Sequence, residues 1–402
     1  MSAPRLLYVL DRFPTDTLNF VYNEMRALEA AGCGVEIVSL LPPGPCPAEA
    51  RDYLARTQVL RPIPPGRLLR AWLHYALRRP RALAGLFGTV LEDAGPGKAL
   101  HNLAHLAVGV VFAYSVRERP AHIHAHFAYK AALAGLCAKR LNGSGFSFTA
   151  HGSDTVMPEK RHSLKSKLRG ADFAIAISEY NRRTLLALCP ELPAGQVRLQ
   201  RTGIRLAEFP FQPRPARREG PARLVCVASL YPVKNHEGLL GACALLAARG
   251  QAFRLDLVGK DEGGRRAQLE AQARRLGVLE AVRFHGSVDH GEVARFLAEA
   301  DLFVLASHSE GIPVSMMEAM AVGLPVVGPR VTGLPELVED GVSGLLADPA
   351  RPDAFAAAIA RLLDDPAAAA AMARRARARI EADYDMDRNA QALAQWLRER
   401  LA

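Results

Sequence analysis

The chain has 402 residues, half of them hydrophobic, with 51 Lys and Arg against 41 Asp and Glu for a formal net charge of +10. That length exceeds one ordinary core and allows two domains of about 200 residues each. A basic surplus suits nucleic acid, an anionic membrane surface or phosphorylated small molecules; with no zinc-finger spacing and no basic stripe interleaved with aromatics, nucleic acid drops out as a partner.

In chain order, short β-like runs are expected at Leu6–Leu10, Val35–Leu40, His122–Phe127, Phe146–His151, Phe173–Ser178 and Val197–Thr202. They continue at Arg223–Ser229, Arg254–Gly259, Val282–Val288, Leu302–Ser307, Pro325–Gly328 and Leu345–Asp348. Most are near-continuously apolar, as strands buried on both faces of a parallel sheet are. Helical patterns such as Phe20–Ala31 and Leu269–Leu276 fall between them. The βαβα order implies an α/β chain of two Rossmann-like doubly wound domains facing a central cleft, the default place for a ligand. Residues 205–222 hold four prolines and no periodicity, the composition of a linker. The domains are therefore expected at 1–204 and 223–382, with a C-terminal helix over 383–402 packing back toward the first. In the tail, Asp353 is expected to cap a helix through Leu363, Pro366 to open the next, and Asp387 to cap the last.

Two further features bear on location. The six Cys form no Cys-x-x-Cys pair and sit mostly in apolar stretches, as free thiols do in a reducing cytoplasm. The opening MSAPRLLYVLDRFP is too short in its apolar run for a signal peptide, and Leu103–Tyr114 is too short to span a bilayer. Residues 61–87 mix Arg with Leu, Trp and Tyr. This basic amphipathic pattern suits peripheral contact with the inner face of a plasma membrane; the alternative is a solvated helix packed on its own domain.

The chemistry gathers in Glu310-Gly-Ile-Pro-Val-Ser-Met-Met-Glu318. A strand, a glycine-containing loop and a helix beginning near Pro313 aim free backbone N–H groups of Gly311, Ile312, Pro313's neighbour Val314 and Ser315 at one point, an anion site suited to a diphosphate. Glu318 follows two turns along, so both carboxylates can meet sugar and ribose hydroxyls. His122, His124 and His126 alternate along one strand face. That pattern admits a metal site, but a strand end with one cleft-facing His is the simpler reading, and no metal is expected. Asp383-Tyr384-Asp385 lies in a helix-to-helix turn and reads as capping chemistry rather than as a metal-binding Asp-x-Asp.

The segment SEGIPVSMMEAMAVGLPVVGPRVTGLPELV resembles the Glu-x7-Glu signature of glycosyltransferase family 4 (group 1), retaining enzymes of the GT-B fold. VASLYPVKNHEGLL is similar to the family's donor-phosphate segment and FTAHGSDT to its His-Gly segment. DRFPTDTLNFVYNEMRALEAAGCGVEIVSL resembles the opening of members that build bacterial exopolysaccharides, including colanic-acid-type enzymes. The resemblance implies catalytic roles for Glu310, facing the donor sugar, for Lys234, on the diphosphate, and for His151, near the reacting carbon. It implies donor contacts from Glu318 to the ribose, from the 311–315 loop, from Ser229, from Gly286 and Val288 near the base, and from Gly333. Acceptor contacts fall to Asp16, Thr17 and His126. Where members carry Arg five residues before the lysine, this chain has Ser229, and Lys260 and Arg330 are candidate substitutes; Thr332 replaces the first Gly of the family's Gly-Gly-x-Pro-Glu turn.

The expected partners are a UDP- or GDP-linked sugar donor and a glycan or polyprenyl-linked acceptor, with no cofactor. Three rivals share the sequence features: a nucleotide-sugar epimerase or hydrolase, a phosphorylase-like enzyme, and a non-catalytic sugar-nucleotide-binding partner, which Ser229 keeps open.

Overall fold

The structure is a computed structural model and describes all residues except 1–4, 16–17, 47–49, 92–98, 120–121, 153–154, 156–162, 214–219, 262 and 402. The chain forms two compact units, Met1–Thr202 with Met386–Ala402, and Gly203–Asp385.

In the first unit, seven strands form one sheet: β1 (Arg5–Arg12), β2 (Gly34–Leu41), β3 (Thr57–Val59), β4 (His122–His126), β5 (Phe146–Ala150), β6 (Phe173–Ala176) and β7 (Val197–Leu199). Their order is β3-β2-β1-β4-β5-β6-β7, with every pairing parallel. β3 was not expected: three residues at a sheet edge, two half-buried around an exposed Gln58, carry no apolar run. Side chains alternate across the sheet. Leu7, Val9, Ile123, Ala125, Phe146 and Phe148 join one core, under the helices Pro65–Arg78, Ala99–Val116 and Lys130–Asn142. Leu6, Tyr8 and Leu10 join the other, with Val21, Met25 and Leu28 of helix Asn19–Ala30. The terminal helix Met386–Leu401 completes that second layer through Leu393, Ala394 and Leu397, and its Trp396 meets Phe173 edge-on at 4.6 Å.

The buried polar residues of the sheet share this second face. Tyr8 pairs in register with His124, His124 with Ser147 and His126 with Thr149, so neighbouring strands carry their polar side chains at matching positions. Buried polar groups need partners, and this register supplies them.

The second unit holds β8 (Ala222–Val227), β9 (Phe253–Val258), β10 (Val282–Gly286), β11 (Leu302–Val304), β12 (Val326–Pro329) and β13 (Leu345–Ala347) in the order β10-β9-β8-β11-β12-β13. Counted from its own first strand, that is 3-2-1-4-5-6, the doubly wound nucleotide-binding order. The strand order reverses between β8 and β11, and between β1 and β4 in the first unit. Ile204 and Phe209 are buried in the second unit's core, so the start of the stretch read as a linker packs within this unit, while 214–219 lie outside the described residues. Gly259, just past β9, is required by close approach: a Cβ there would lie 2.1 Å from the carbonyl oxygen of Ala228.

Two expected caps are corrected. Asp353 and Asp387 sit inside the first turns of helices Pro352–Asp364 and Met386–Leu401 rather than capping them. A carboxylate in the first turn still complements the helix dipole. Helix Pro366–Asp383 opens at Pro366, with the Asp365 side chain accepting from the Ala368 amide at 2.9 Å. Among the described residues, no helix is long and apolar enough to cross a membrane.

Candidate functional site

In the second unit, the residues singled out by sequence collect where the strand order reverses. β8 runs through Ser229 into the turn Pro232–Lys234, and β11 runs into the loop that carries Glu310. The backbone ties the two loops together: the His308 amide donates to the Val233 carbonyl at 2.8 Å. Lys234 Nζ lies 2.7 Å from Glu310 Oε1, with Glu310 nearly buried and the lysine 25% exposed.

Asn235 anchors that lysine and was missed by the sequence reading. It adopts a left-handed conformation, φ 52°, and caps helix His236–Ala248 by accepting from the Gly238 amide at 3.1 Å. Its amide nitrogen donates to the carbonyls of Ala306, at 3.0 Å, and Pro349, at 2.9 Å. One buried side chain thus joins the lysine turn, the end of β11 and the segment after β13. A single Asn in a turn has no spacing signature; only its position beside Lys234 could have flagged it.

Glu310 is held from the other side. Its amide donates to Thr332 Oγ1 at 3.1 Å, and the Thr332 hydroxyl donates to the Glu310 carbonyl. Thr332 does this at φ 41°, a conformation uncommon for a β-branched residue. The Gly333 amide also points at the Glu310 carbonyl, at 3.4 Å. Gly311, Ile312 and Pro313 lead into helix Val314–Ala321, whose N-cap, Pro313, offers no side-chain acceptor to the amides of the first turn at Val314 and Ser315.

Glu318, in the same helix, is buried, and burial, with Glu208 adding repulsion, pushes its carboxyl up to about 8. It is therefore largely protonated at neutral pH in the free protein. Gly286 ends β10 at φ 73°, its carbonyl accepting from the Gly259 amide at 2.9 Å, and Val288 packs half-buried on the core. Of the two candidate substitutes for the missing arginine, Arg330 is engaged elsewhere, on Asp340 and the Leu346 carbonyl. Lys260 follows Gly259, and its carbonyl accepts from the Leu230 amide at 2.9 Å, which puts its backbone beside Ser229.

In the first unit, Asp16 and Thr17 lie outside the described residues. His151 follows β5, buried against the rings of Phe20, at 5.0 Å, and Phe127, at 4.4 Å. Burial and the neighbouring His126 hold its pKa well below the ordinary histidine value, so it is neutral at pH 7. His126 was expected to meet the acceptor directly. It is fully buried, with Nε2 3.1 Å from Glu24 Oε1 and Nδ1 3.1 Å from His151 Nε2, so it stands one layer beneath His151.

Glu24 and Tyr8, whose hydroxyl donates to Glu24 at 2.8 Å, were also missed by sequence. The alternation of His122, His124 and His126 against Ser147 and Thr149 was the available signal that a covered polar face needed a partner. Glu24, His124 and His126 place one ligand-type atom each within 4.8 Å of one another, the geometry a cation would need. The two ring nitrogens of His124 are taken by Ser147 at 2.8 Å and Thr149 at 2.9 Å, so the group closes as a hydrogen-bond network.

Comparison with known proteins adds the family. The profile for glycosyl transferases group 1 matches residues 209–379, and that for a glycosyl transferase 4-like domain matches 19–188. The amylovoran biosynthesis glycosyltransferase AmsK of Erwinia amylovora is 29% identical over 375 residues, covering 89% of this chain and 90% of AmsK. A D-inositol 3-phosphate glycosyltransferase of Actinosynnema mirum is 31% identical over 308 residues, covering 70% of this chain and 72% of that protein. In fold, the chain is similar to Anabaena Alr3699/HepE, solved in complex with UDP and glucose, with a TM-score of 0.75 at 19% identity over 98% of this chain and 100% of that one.

Proposed function

The chain belongs to the group 1 glycosyltransferases, and from that membership we propose that it is a retaining, metal-independent enzyme that moves a sugar from a nucleoside-diphosphate donor to a glycan or polyprenyl-linked acceptor. The likeness to AmsK supports a role in building a bacterial surface polysaccharide.

The observation that carries the reading is the Lys234–Glu310 pair at 2.7 Å where the second sheet's strand order reverses, beside a helix N-terminus without a side-chain cap. The pair is a resting arrangement that exchanges partners on binding. Lys234 turns to the diphosphate, the Val314–Ala321 helix offers it amides, and Glu310 is released to accept hydrogen bonds from the donor sugar. Glu318 takes the ribose hydroxyls, Gly286 and Val288 line the base, and Ser229 and Gly333 contact the donor through their turns.

In the reaction, the bond from the anomeric carbon to the phosphate oxygen breaks and its electrons leave with the diphosphate, whose charge Lys234 and the amides offset. The acceptor oxygen bonds the same face of that carbon, and its proton passes to the departing phosphate. His151 lies near the reacting sugar, and Asp16 and Thr17 meet the acceptor. The chain acts in the cytoplasm, with helix Pro65–Arg78 resting on an anionic membrane that holds the acceptor.

The test is transfer of radiolabelled sugar to a lipid-linked acceptor, with the anomeric configuration of the product read by NMR. Glu310→Ala and Lys234→Ala should each lower kcat at least about a hundredfold while melting near the wild-type temperature. Activity should persist in EDTA with the configuration kept. Full activity in both variants, an inverted product, or loss in EDTA restored by a divalent cation would each refute part of this reading.

A further inference from the structure

We propose that Glu24, acting through His126, fixes which nitrogen of His151 carries the hydrogen, so that His151 presents Nδ1 as a hydrogen-bond acceptor to a hydroxyl of the reacting sugars. The inference rests on the reading of His151 as a residue of the transfer site.

Three contacts link Tyr8, Glu24, His126 and His151 in a chain. Glu24 projects from helix Asn19–Ala30, and its Oε1 accepts from the Tyr8 hydroxyl at 2.8 Å. Tyr8 stays a phenol, because burial and the adjacent carboxylate both raise its pKa well above the ordinary value. The same oxygen lies 3.1 Å from His126 Nε2. An oxygen already accepting from a phenol meets that nitrogen with lone pairs, so Nε2 of His126 is the N–H donor. In the proposed arrangement His126 carries one hydrogen, on Nε2, which leaves a lone pair at Nδ1. Its partner there, His151 Nε2 at 3.1 Å, must donate. His151 is neutral and has one N–H, which is now assigned to Nε2. Nδ1 is left as the acceptor.

The surroundings hold the chain in place. His126 stacks between Tyr8, with ring centroids 5.2 Å apart, and His151, 5.4 Å apart. Phe20 and Phe127 pack the His151 ring. His124 cannot divert Glu24, because Ser147 and Thr149 hold both its nitrogens. This logic matches that of a carboxylate–histidine pair in which the carboxylate selects the tautomer rather than taking a proton. Glu24 and His126 are thus positioning residues; His151 is the one that meets the sugar.

The experiment uses full-length protein with 15N-labelled histidine, its imidazole nitrogens observed by long-range proton–nitrogen correlation, with His151→Asn to assign the His151 signals. In the wild type, His151 should show an unprotonated Nδ1 and a protonated Nε2. Glu24→Leu should convert it to the other tautomer or a mixture and lower kcat by at least about tenfold, with the donor KM within about twofold. Glu24→Gln, whose amide oxygen can still accept from Tyr8 and His126, should restore both tautomer and rate. A His151 that is Nδ1-protonated or doubly protonated in the wild type overturns the proposal, even if Glu24→Leu fails to fold. So does stoichiometric zinc with a metal-shifted His126 Nε2, or a Glu24→Gln enzyme as slow as Glu24→Leu. If the tautomer is as stated but His151→Ala transfers sugar at the wild-type rate, the placing of His151 in the transfer site fails instead, and the functional half of the proposal falls with it.

Discussion

At the scale of the residue, the most informative side chain is Glu318. Its folded pKa of about 8 exceeds the ordinary 4.5, so the ionised form is the one the fold disfavours. The stability tied to its proton is complete below about pH 4.5 and is lost as pH rises toward 8, at about 1.4 kcal/mol per unit. Glu318→Gln lacks that titration. Thermal melts of both proteins from pH 5 to pH 9 should show the variant gaining on the wild type as pH rises; parallel curves would refute the assignment. In the proposed site, ribose hydroxyls donate to this group and favour its carboxylate. Nucleotide binding at pH 7 should therefore release protons, seen as a binding heat that varies with buffer ionisation enthalpy in the wild type and not in Glu318→Gln. The sequence marked Glu318 through its spacing from Glu310, but its protonation depends on burial and on Glu208, a neighbour that spacing does not reveal. Glu24 was equally hidden, one of two acidic residues in an amphipathic helix until the sheet beneath it was known.

Among the elements, the turn at Lys234 depends on Asn235. Losing a cap costs about 1 kcal/mol, and two carbonyls lose buried donors besides. Asn235→Ala should therefore destabilise by about 2–4 kcal/mol in urea unfolding. Asn235→Gly, free to hold φ 52°, should recover about 1 kcal/mol of that and still bind donor weakly. Equal losses in the two variants would mean the left-handed backbone is not what Asn235 stabilises.

Helix Pro65–Arg78 is apolar on two sides. Ala71 and Tyr75 face the core, where the Tyr75 hydroxyl bonds Asn142 Oδ1 at 2.6 Å. On the opposite side Leu69, Leu73 and Leu77 are 60%, 52% and 81% exposed, with Arg70 beside them in a shallow groove. Replacing the three leucines by Ser should abolish flotation with phosphatidylglycerol vesicles and leave the melting temperature within a few degrees. Unchanged flotation would remove this helix as the membrane contact. Its basic, apolar composition was legible in sequence. That its buried side is Ala71 and Tyr75 while all four of its leucines stay exposed was not, because only packing against helix Ala99–Val116 decides which side is covered.

For the whole molecule, near-continuous apolar runs read as twelve strands were enough to identify two doubly wound sheets, because parallel strands buried on both faces leave that signature. What escaped was order set by long-range contact: edge strand β3, the packing of Ile204 and Phe209 into the second core, and the bracing of Lys234 and Glu310 by residues far apart in sequence. The terminal helix was anticipated on the first unit, where Trp396 and Leu397 now rest against the sheet.

The proposed chemistry requires a diphosphate site built on the second unit around Lys234. Calorimetric titration of the full chain with UDP and GDP, and with the matching nucleosides, tests it most directly. One diphosphate should bind far more tightly than its nucleoside, and Lys234→Ala should weaken it by about ten- to a hundredfold. Equal affinity in wild type and Lys234→Ala, or no binding of either diphosphate, would contradict it.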